Sequence, residues 1–186
     1  MAYNEANFEN AIIEVFRDTL GYAHVYGPDI YRDYASSLYV EELEPALRNI
    51  NSSLPDSAIT EAIFKLQNFD AGSLFLRNIH FMDYLQNGVS VNYFDRNEQR
   101  SALVKLVDYE NAERNRFVVA NQWTIAENSE KRTDIIVFIN GLPLVVFELK
   151  SPSREETDAS EAYLQLRNYM QEIPSLFVYN AFLVMS

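Results

Sequence analysis

The segment Asp134-Ile-Ile-Val-Phe-Ile-Asn140-Gly141-Leu-Pro-Leu-Val-Val-Phe-Glu148-Leu-Lys150 carries the strongest structural signal in the chain. Two apolar runs flank an Asn-Gly pair, the dipeptide that most readily takes the positive φ angles of a tight hairpin, so the segment predicts two antiparallel strands. Both faces of both runs are apolar, which places them centrally in a sheet covered on either side. Glu148 and Lys150 stand two residues apart on one strand and therefore share a face. Asp134 enters the neighbouring strand at the same end. A two-residue loop at Asn140-Gly141 pairs Asp134 with Phe147 and sends Glu148 to the opposite face. A three-residue loop with Gly141 left-handed, or an equivalent bulge, puts Asp134, Val146, Glu148 and Lys150 on one face, and that odd register is the expectation.

The chemistry of this trio follows from its residue types. Two hard oxygen ligands side by side suit Mg2+, with water or phosphate oxygens completing its shell. A lysine beside them can orient or deprotonate the attacking water, or stabilise pentacovalent phosphorus. The plain alternative is a pair of solvated strand ends. Against it stands burial: a glutamate continuing an apolar central strand needs a partner or a metal to offset its desolvation.

On the C-terminal side of the hairpin, Ser151-Pro152-Ser153 ends the second strand, and a helix is expected from Asp158 to Gln171, with Ala159, Ala162, Leu166 and Tyr169 on one side. Gln165 and Tyr169 lie one turn apart on that packed side, where an amide and a phenol could position a phosphate or hold Lys150; a helix-to-sheet hydrogen bond is the simpler use. Pro174 stops the helix, and Ser175 to Met185 reads as one more buried strand. Towards the N-terminus, Phe117 to Ile125, Ala102 to Tyr109 and Val89 to Phe94 read as strands, and Asn87-Gly88 as a turn. Leu38 to Ile50 and Ala58 to Phe69 have helical spacing, residues 74–87 are helical or mixed, and residues 21–35 are irregular or short-stranded. Asn7 to Leu20 is a first helix ending at Gly21. Glu9 lies along its buried face with Ile12, Ile13 and Phe16, either as a further metal ligand or as a helix-dipole partner in the first turn. Helix, strands, helix, strand is an α/β or α+β core around a mixed sheet, a single domain over residues 1–186 with a mostly helical insertion at 36–88.

Composition narrows the function. The 186 residues carry 15 basic and 27 acidic side chains, a formal charge of −12. A domain that grips nucleic acid unaided usually presents a basic stripe, and the basic residues between Arg96 and Arg132 are interspersed with acids. With no cysteine, disulfides, thiolate zinc sites and a cysteine nucleophile are excluded, and two scattered histidines leave little for a zinc site or a His-based triad. The chemistry falls to carboxylates, lysine or hydroxyls. No apolar run reaches a membrane span, and the opening Met1-Ala-Tyr-Asn-Glu lacks the basic and apolar regions of a secretory signal, so a cytoplasmic protein with no membrane partner is expected.

Taken together, Arg132-Thr-Asp134, the string Asn140-Gly-Leu-Pro-Leu-Val-Val-Phe-Glu148-Leu-Lys150-Ser-Pro, Gln165-x-x-x-Tyr169 and Ile173-Pro-x-Leu-Phe resemble the N-terminal nuclease domain of the restriction (R) subunit of type I restriction-modification enzymes. Glu9 with Leu20-Gly-Tyr22 resembles that domain's opening helix, and Asn115-x-Phe117-Val-Val-x-Asn121-Gln122 resembles the stretch before its catalytic hairpin. The resemblance implies a PD-(D/E)xK restriction-endonuclease-like core. In it Asp134 and Glu148 bind Mg2+, Lys150 assists the water, Glu9 is an extra acid, and Gln165 and Tyr169 support DNA placement and cleavage. Thr133 departs from the pattern, standing where the family usually has a proline that carries no chemistry. The resemblance further implies double-stranded DNA as substrate, specificity and methyltransferase subunits as partners, and a longer parent chain whose motor domains use ATP. No G-x-x-x-x-G-K-[ST] loop is present here to bind ATP. A nuclease whose DNA is delivered by a motor need not bind it tightly alone, which accommodates the acidic charge. The competing reading is a nuclease-like scaffold that no longer cuts and docks partner subunits or DNA.

Overall fold

A computed structural model describes residues 5–70, 72–96, 98–150 and 159–185. In chain order the elements are α1 (Glu5–Glu14, continuing as a π-helical turn Val15–Thr19), β1 (Ala23–Tyr26), α2 (Val40–Ile50), α3 (Asp56–Gln67), α4 (Leu74–Asn87), β2 (Val89–Asp95), β3 (Glu98–Val104), β4 (Phe117–Ala126), β5 (Glu130–Ile139), β6 (Leu142–Glu148), α5 (Ala159–Glu172), α6 (Pro174–Tyr179) and β7 (Phe182–Met185). Five strands form the central sheet in the order β1-β4-β5-β6-β7. β4, β5 and β6 are mutually antiparallel, while β1 runs parallel to β4 and β7 parallel to β6, so the sheet is mixed. The β2–β3 hairpin stands apart as a second, two-stranded sheet.

Helices cover both faces of the central sheet. On one, α1 sets Ile13 against Val119, Ile135 and Leu149. On the other, Leu166, Tyr169 and Ile173 of the α5 region pack with Leu176 and Phe177 of α6 over Ile136, Phe138 and Val146. A third cluster joins α2, α3 and α4 to the β2–β3 hairpin and to Leu142 and Leu144 of β6. No helix among the described residues is long and apolar enough to cross a membrane.

The β5–β6 turn shows how the sequence sets the register. Asn140 and Gly141 both have positive φ, 52° and 76°, the geometry of a two-residue hairpin loop. Asn140 is fully buried: its Oδ1 accepts from the Arg116 amide at 2.8 Å, and its Nδ2 donates to Leu106 O at 2.9 Å and Asn115 Oδ1 at 2.8 Å. Gly141 is confined as well, since a Cβ there would meet the backbone of Tyr39 and Leu43. The pairing begins at Ile139–Leu142 and Phe138–Pro143, then resumes at Val137–Val145, leaving Leu144 as an extra residue. The shift comes from a bulge, not from a three-residue loop, and the proline beside it has no N–H to lose.

Two expectations fail. Ser175 to Met185 is not one strand: Pro174 opens the six-residue helix α6, and only Phe182–Met185 is extended. Leu176, Phe177, Val178 and Tyr179 are all buried, so no polar face reveals the helical period. Asn78 of α4 captures its terminal carbonyls, donating to Phe177 O at 3.3 Å and to Val178 O and Asn180 O at 3.0 Å. The strand expected over Ala102 to Tyr109 lies instead at Glu98–Val104. The charged residues that read as a loop are its solvated end, where Arg100 bridges to Asp95 and Glu98. Beyond it, the Asp108 carboxylate accepts from the amides of Glu110 and Asn111 and from Arg114, which holds the chain in a turn. The strand end at Ser151-Pro152-Ser153 and the helix start at Asp158 lie outside the described residues.

Candidate active site

The bulge at Leu144 brings the hairpin's acids together. Ile135 pairs with Phe147, so the next step towards this end of the sheet sets Asp134 opposite Glu148. Asp134 Oδ2 accepts a hydrogen bond from the Leu149 amide at 2.7 Å, which ties the first carboxylate across to the strand that carries the second. Glu148 is only 1% exposed, and its Oε1 receives Lys150 Nζ at 3.0 Å. Burying a carboxylate costs several kcal/mol unless charge and hydrogen bonds offset it, and the ammonium two residues on supplies such an offset.

Lys150 is held from a second side by α5. Its Nζ also donates to Gln165 Oε1 at 2.5 Å. An ammonium only donates, so the amide must turn its oxygen to the lysine and its nitrogen away. That nitrogen meets Tyr169 Oη at 2.7 Å, and the phenol passes its own hydrogen to Arg132 O at 3.3 Å. The hydrogen bonds therefore run outward from Lys150, which donates on one side to Glu148 and on the other to Gln165, with Gln165 donating to Tyr169 and Tyr169 to the β5 backbone. The four-residue spacing that stacks Gln165 and Tyr169 on one helix face is what permits this path. Burial pushes the Tyr169 phenol up to about 12; the Gln165 N–H pulls it down, and the Glu148 and Asp134 carboxylates raise it further. Both acids thus act electrically on a side chain of α5, as groups on one face of the sheet should.

Glu9 has a different setting. It lies on α1, the helix that packs Ile13 against the other face of the sheet. Its Oε1 accepts from Asn121 Nδ2 at 2.6 Å and its Oε2 from Gln122 Nε2 at 2.8 Å, both from β4. Among the described residues no group of three Asp, Glu or His side chains converges as a metal site. The structure therefore joins Asp134, Glu148, Lys150, Gln165 and Tyr169, and sets Glu9 apart on its own pair of amides.

Two features escaped the residue-by-residue reading. The Asn121-Gln122 clamp on Glu9 is one: the sequence marks these amides only within the stretch that resembles the one before the family's catalytic hairpin. Arg32 is buried with its guanidinium 3.8 Å above the Trp123 ring and 5.0 Å from that of Tyr34, donating to the carbonyls of Asp33, Ser36 and Thr124. Burial lowers this guanidinium to about 10. No sequence spacing announces such a contact, because it joins an irregular segment to a distant strand.

A family described as type I restriction enzyme R protein N terminus matches residues 2–186. The type I restriction enzyme HindI endonuclease subunit of Haemophilus influenzae is 39% identical over 98% of this chain, which spans 18% of that relative. Two putative type I restriction enzyme endonuclease subunits of Methanocaldococcus jannaschii, MjaIXP and MjaVIIIP, are 32% and 33% identical over 96% and 92% of the chain, which spans 18% and 17% of them. This chain belongs to the family of type I restriction enzyme R protein N-terminal domains.

Proposed function

We propose that the domain is a Mg2+-dependent endodeoxyribonuclease with a PD-(D/E)xK-type centre, cutting double-stranded DNA within an assembly that includes specificity and methyltransferase subunits. ATP-driven translocation falls to motor domains outside this chain. The observation that supports this best is the bulge-set register, which faces Asp134 with Glu148 and leaves Lys150 beside them, fixed by Gln165.

The donor set fits a hard cation. Asp134 is half-buried and Glu148 buried, and both bring carboxylate oxygens to the end of paired strands; a hard cation held by them would take water and phosphate oxygens as its further ligands. When bound there, Mg2+ would supply Lewis acidity toward the phosphoryl group and a more acidic water. The protein's own groups then have separate tasks. Lys150 would offer its ammonium to the charge that grows on the phosphoryl oxygens, and the Gln165 amide holds that ammonium in place. Tyr169, with its proton firmly held, orients Gln165 and anchors α5 to the β5 backbone at Arg132.

The test is to replace Asp134 or Lys150 by Ala in the assembled enzyme and to measure DNA cleavage and ATP hydrolysis separately. Loss of cutting with ATP hydrolysis retained is the expected result. Unchanged cutting rejects the proposal and leaves the non-cutting scaffold.

A further inference from the structure

We infer that Gln122 is a positioning residue for the Asp134–Glu148 pair, acting through a left-handed kink in β4 that Glu9 locks and Gly27 makes room for. The inference rests on the nuclease reading above.

Four observations carry it. First, Gln122 has φ of +54°, a conformation that costs a non-glycine residue about 1 kcal/mol or more, and such strain persists only where its surroundings enforce it. Secondly, β4 pairs with β5 from Phe117–Ile139 to Asn121–Ile135 and resumes at Trp123–Thr133, so the interrupted position is Gln122 opposite Asp134. Thirdly, Val118 and Ala120 share an apolar cluster with Trp123 and Ile125, so the alternation of faces along β4 inverts at Gln122. Neighbours on a regular strand point to opposite faces, yet Asn121 and Gln122 both reach the Glu9 carboxylate, at 2.6 Å and 2.8 Å; the kink makes that possible. Fourthly, a Cβ on Gly27 would lie 2.5 Å from Gln122 O and 2.9 Å from Trp123 Cα, so the kinked backbone occupies the space a side chain would need.

The hydrogen bonds lock the arrangement in one sense. A carboxylate only accepts, so Asn121 must present its NH2 to Glu9 and its oxygen outward, where His24 Nε2 donates to it at 2.9 Å. The ladder with β4 is interrupted opposite Asp134, whose carboxylate accepts from the Leu149 amide. Glu9 thus serves the site from behind the sheet, by holding the kink that sets where Asp134 stands relative to Glu148.

The experiment compares wild type, Gln122→Ala, Gln122→Gly and Asp134→Ala in the assembled enzyme. It reads cleavage against Mg2+ concentration, ATP hydrolysis and the melting midpoint. Ala removes the amide and resists the left-handed backbone, so the half-saturating Mg2+ concentration should rise about tenfold or more, as for loss of a group that orients metal ligands, with cutting recovered at high Mg2+. Gly keeps the backbone and should shift it less, with ATP hydrolysis unchanged in both. Asp134→Ala should abolish cutting throughout. If cutting by wild type needs Mg2+ and Asp134 while Gln122→Ala alters only the melting midpoint or the maximal rate, the positioning role is overturned and the nuclease reading stands. If Asp134→Ala cuts normally, both fall.

Discussion

Replacing Asn140 by Gly isolates what one buried amide contributes to the β5–β6 hairpin. Asn140 already sits at φ of 52°, which glycine adopts without strain, so the backbone path is preserved and the side chain alone is lost. Three side-chain hydrogen bonds disappear, to the Arg116 amide, to Leu106 O and to Asn115 Oδ1, all at 2.8 to 2.9 Å. At about 1 kcal/mol each the loss is roughly 3 kcal/mol, and the Arg116 N–H left without this partner pushes it higher. In a chain of this size that lowers the melting midpoint by about 6–12 °C. Asn140→Ala loses the same bonds and adds the left-handed penalty of about 1–2 kcal/mol, so it should be the worse variant. Chemical denaturation of the three proteins, with unchanged denaturant dependence, checks both the size and the order. A glycine variant within about 1 kcal/mol of wild type, or an alanine variant no less stable than glycine, refutes the reasoning.

Lys150→Met should destabilise the fold by about 3–5 kcal/mol, because it strips the ion pair from a carboxylate that is 1% exposed, whereas the double variant with Glu148→Gln should recover most of that loss in denaturant titrations. Tyr169 carries a pH signature. Its phenol is held at about 12 in the fold, above its ordinary value near 10, so its contribution to stability is full below pH 10 and is lost as pH rises towards 12. The stability advantage of wild type over Tyr169→Phe should therefore stay level up to about pH 9 and shrink by about pH 11, and a gap that widens over that range contradicts the assignment.

Much of the candidate site was legible because strands and helices have fixed periods. The Glu-x-Lys spacing put two groups on one face, the four-residue step put Gln165 under Tyr169, and the demand that Asp134 share the face of Glu148 required an odd register. Whether a longer loop or a bulge supplied that register was not legible, since both satisfy the same parity; the extra residue proved to be Leu144, beside a proline with no ladder bond to give. The α6 helix was hidden because its buried residues carry no polar face, and β3 because its solvated end is charged like a loop. Glu9 was rightly placed on the buried side of α1, but its partners depend on a left-handed glutamine. No rule of composition marks such a kink, which is legible only where Gly27 meets it across β1 and β4.

Manganese anomalous scattering from crystals of the domain tests the central claim most directly, because Mn2+ takes the same hard oxygen ligands as Mg2+ and marks its own position. The account predicts a peak between the carboxylates of Asp134 and Glu148, close to Lys150, that disappears in Asp134→Ala. A wild-type map with no peak there, and with the two acids turned apart or capped by arginines, contradicts it.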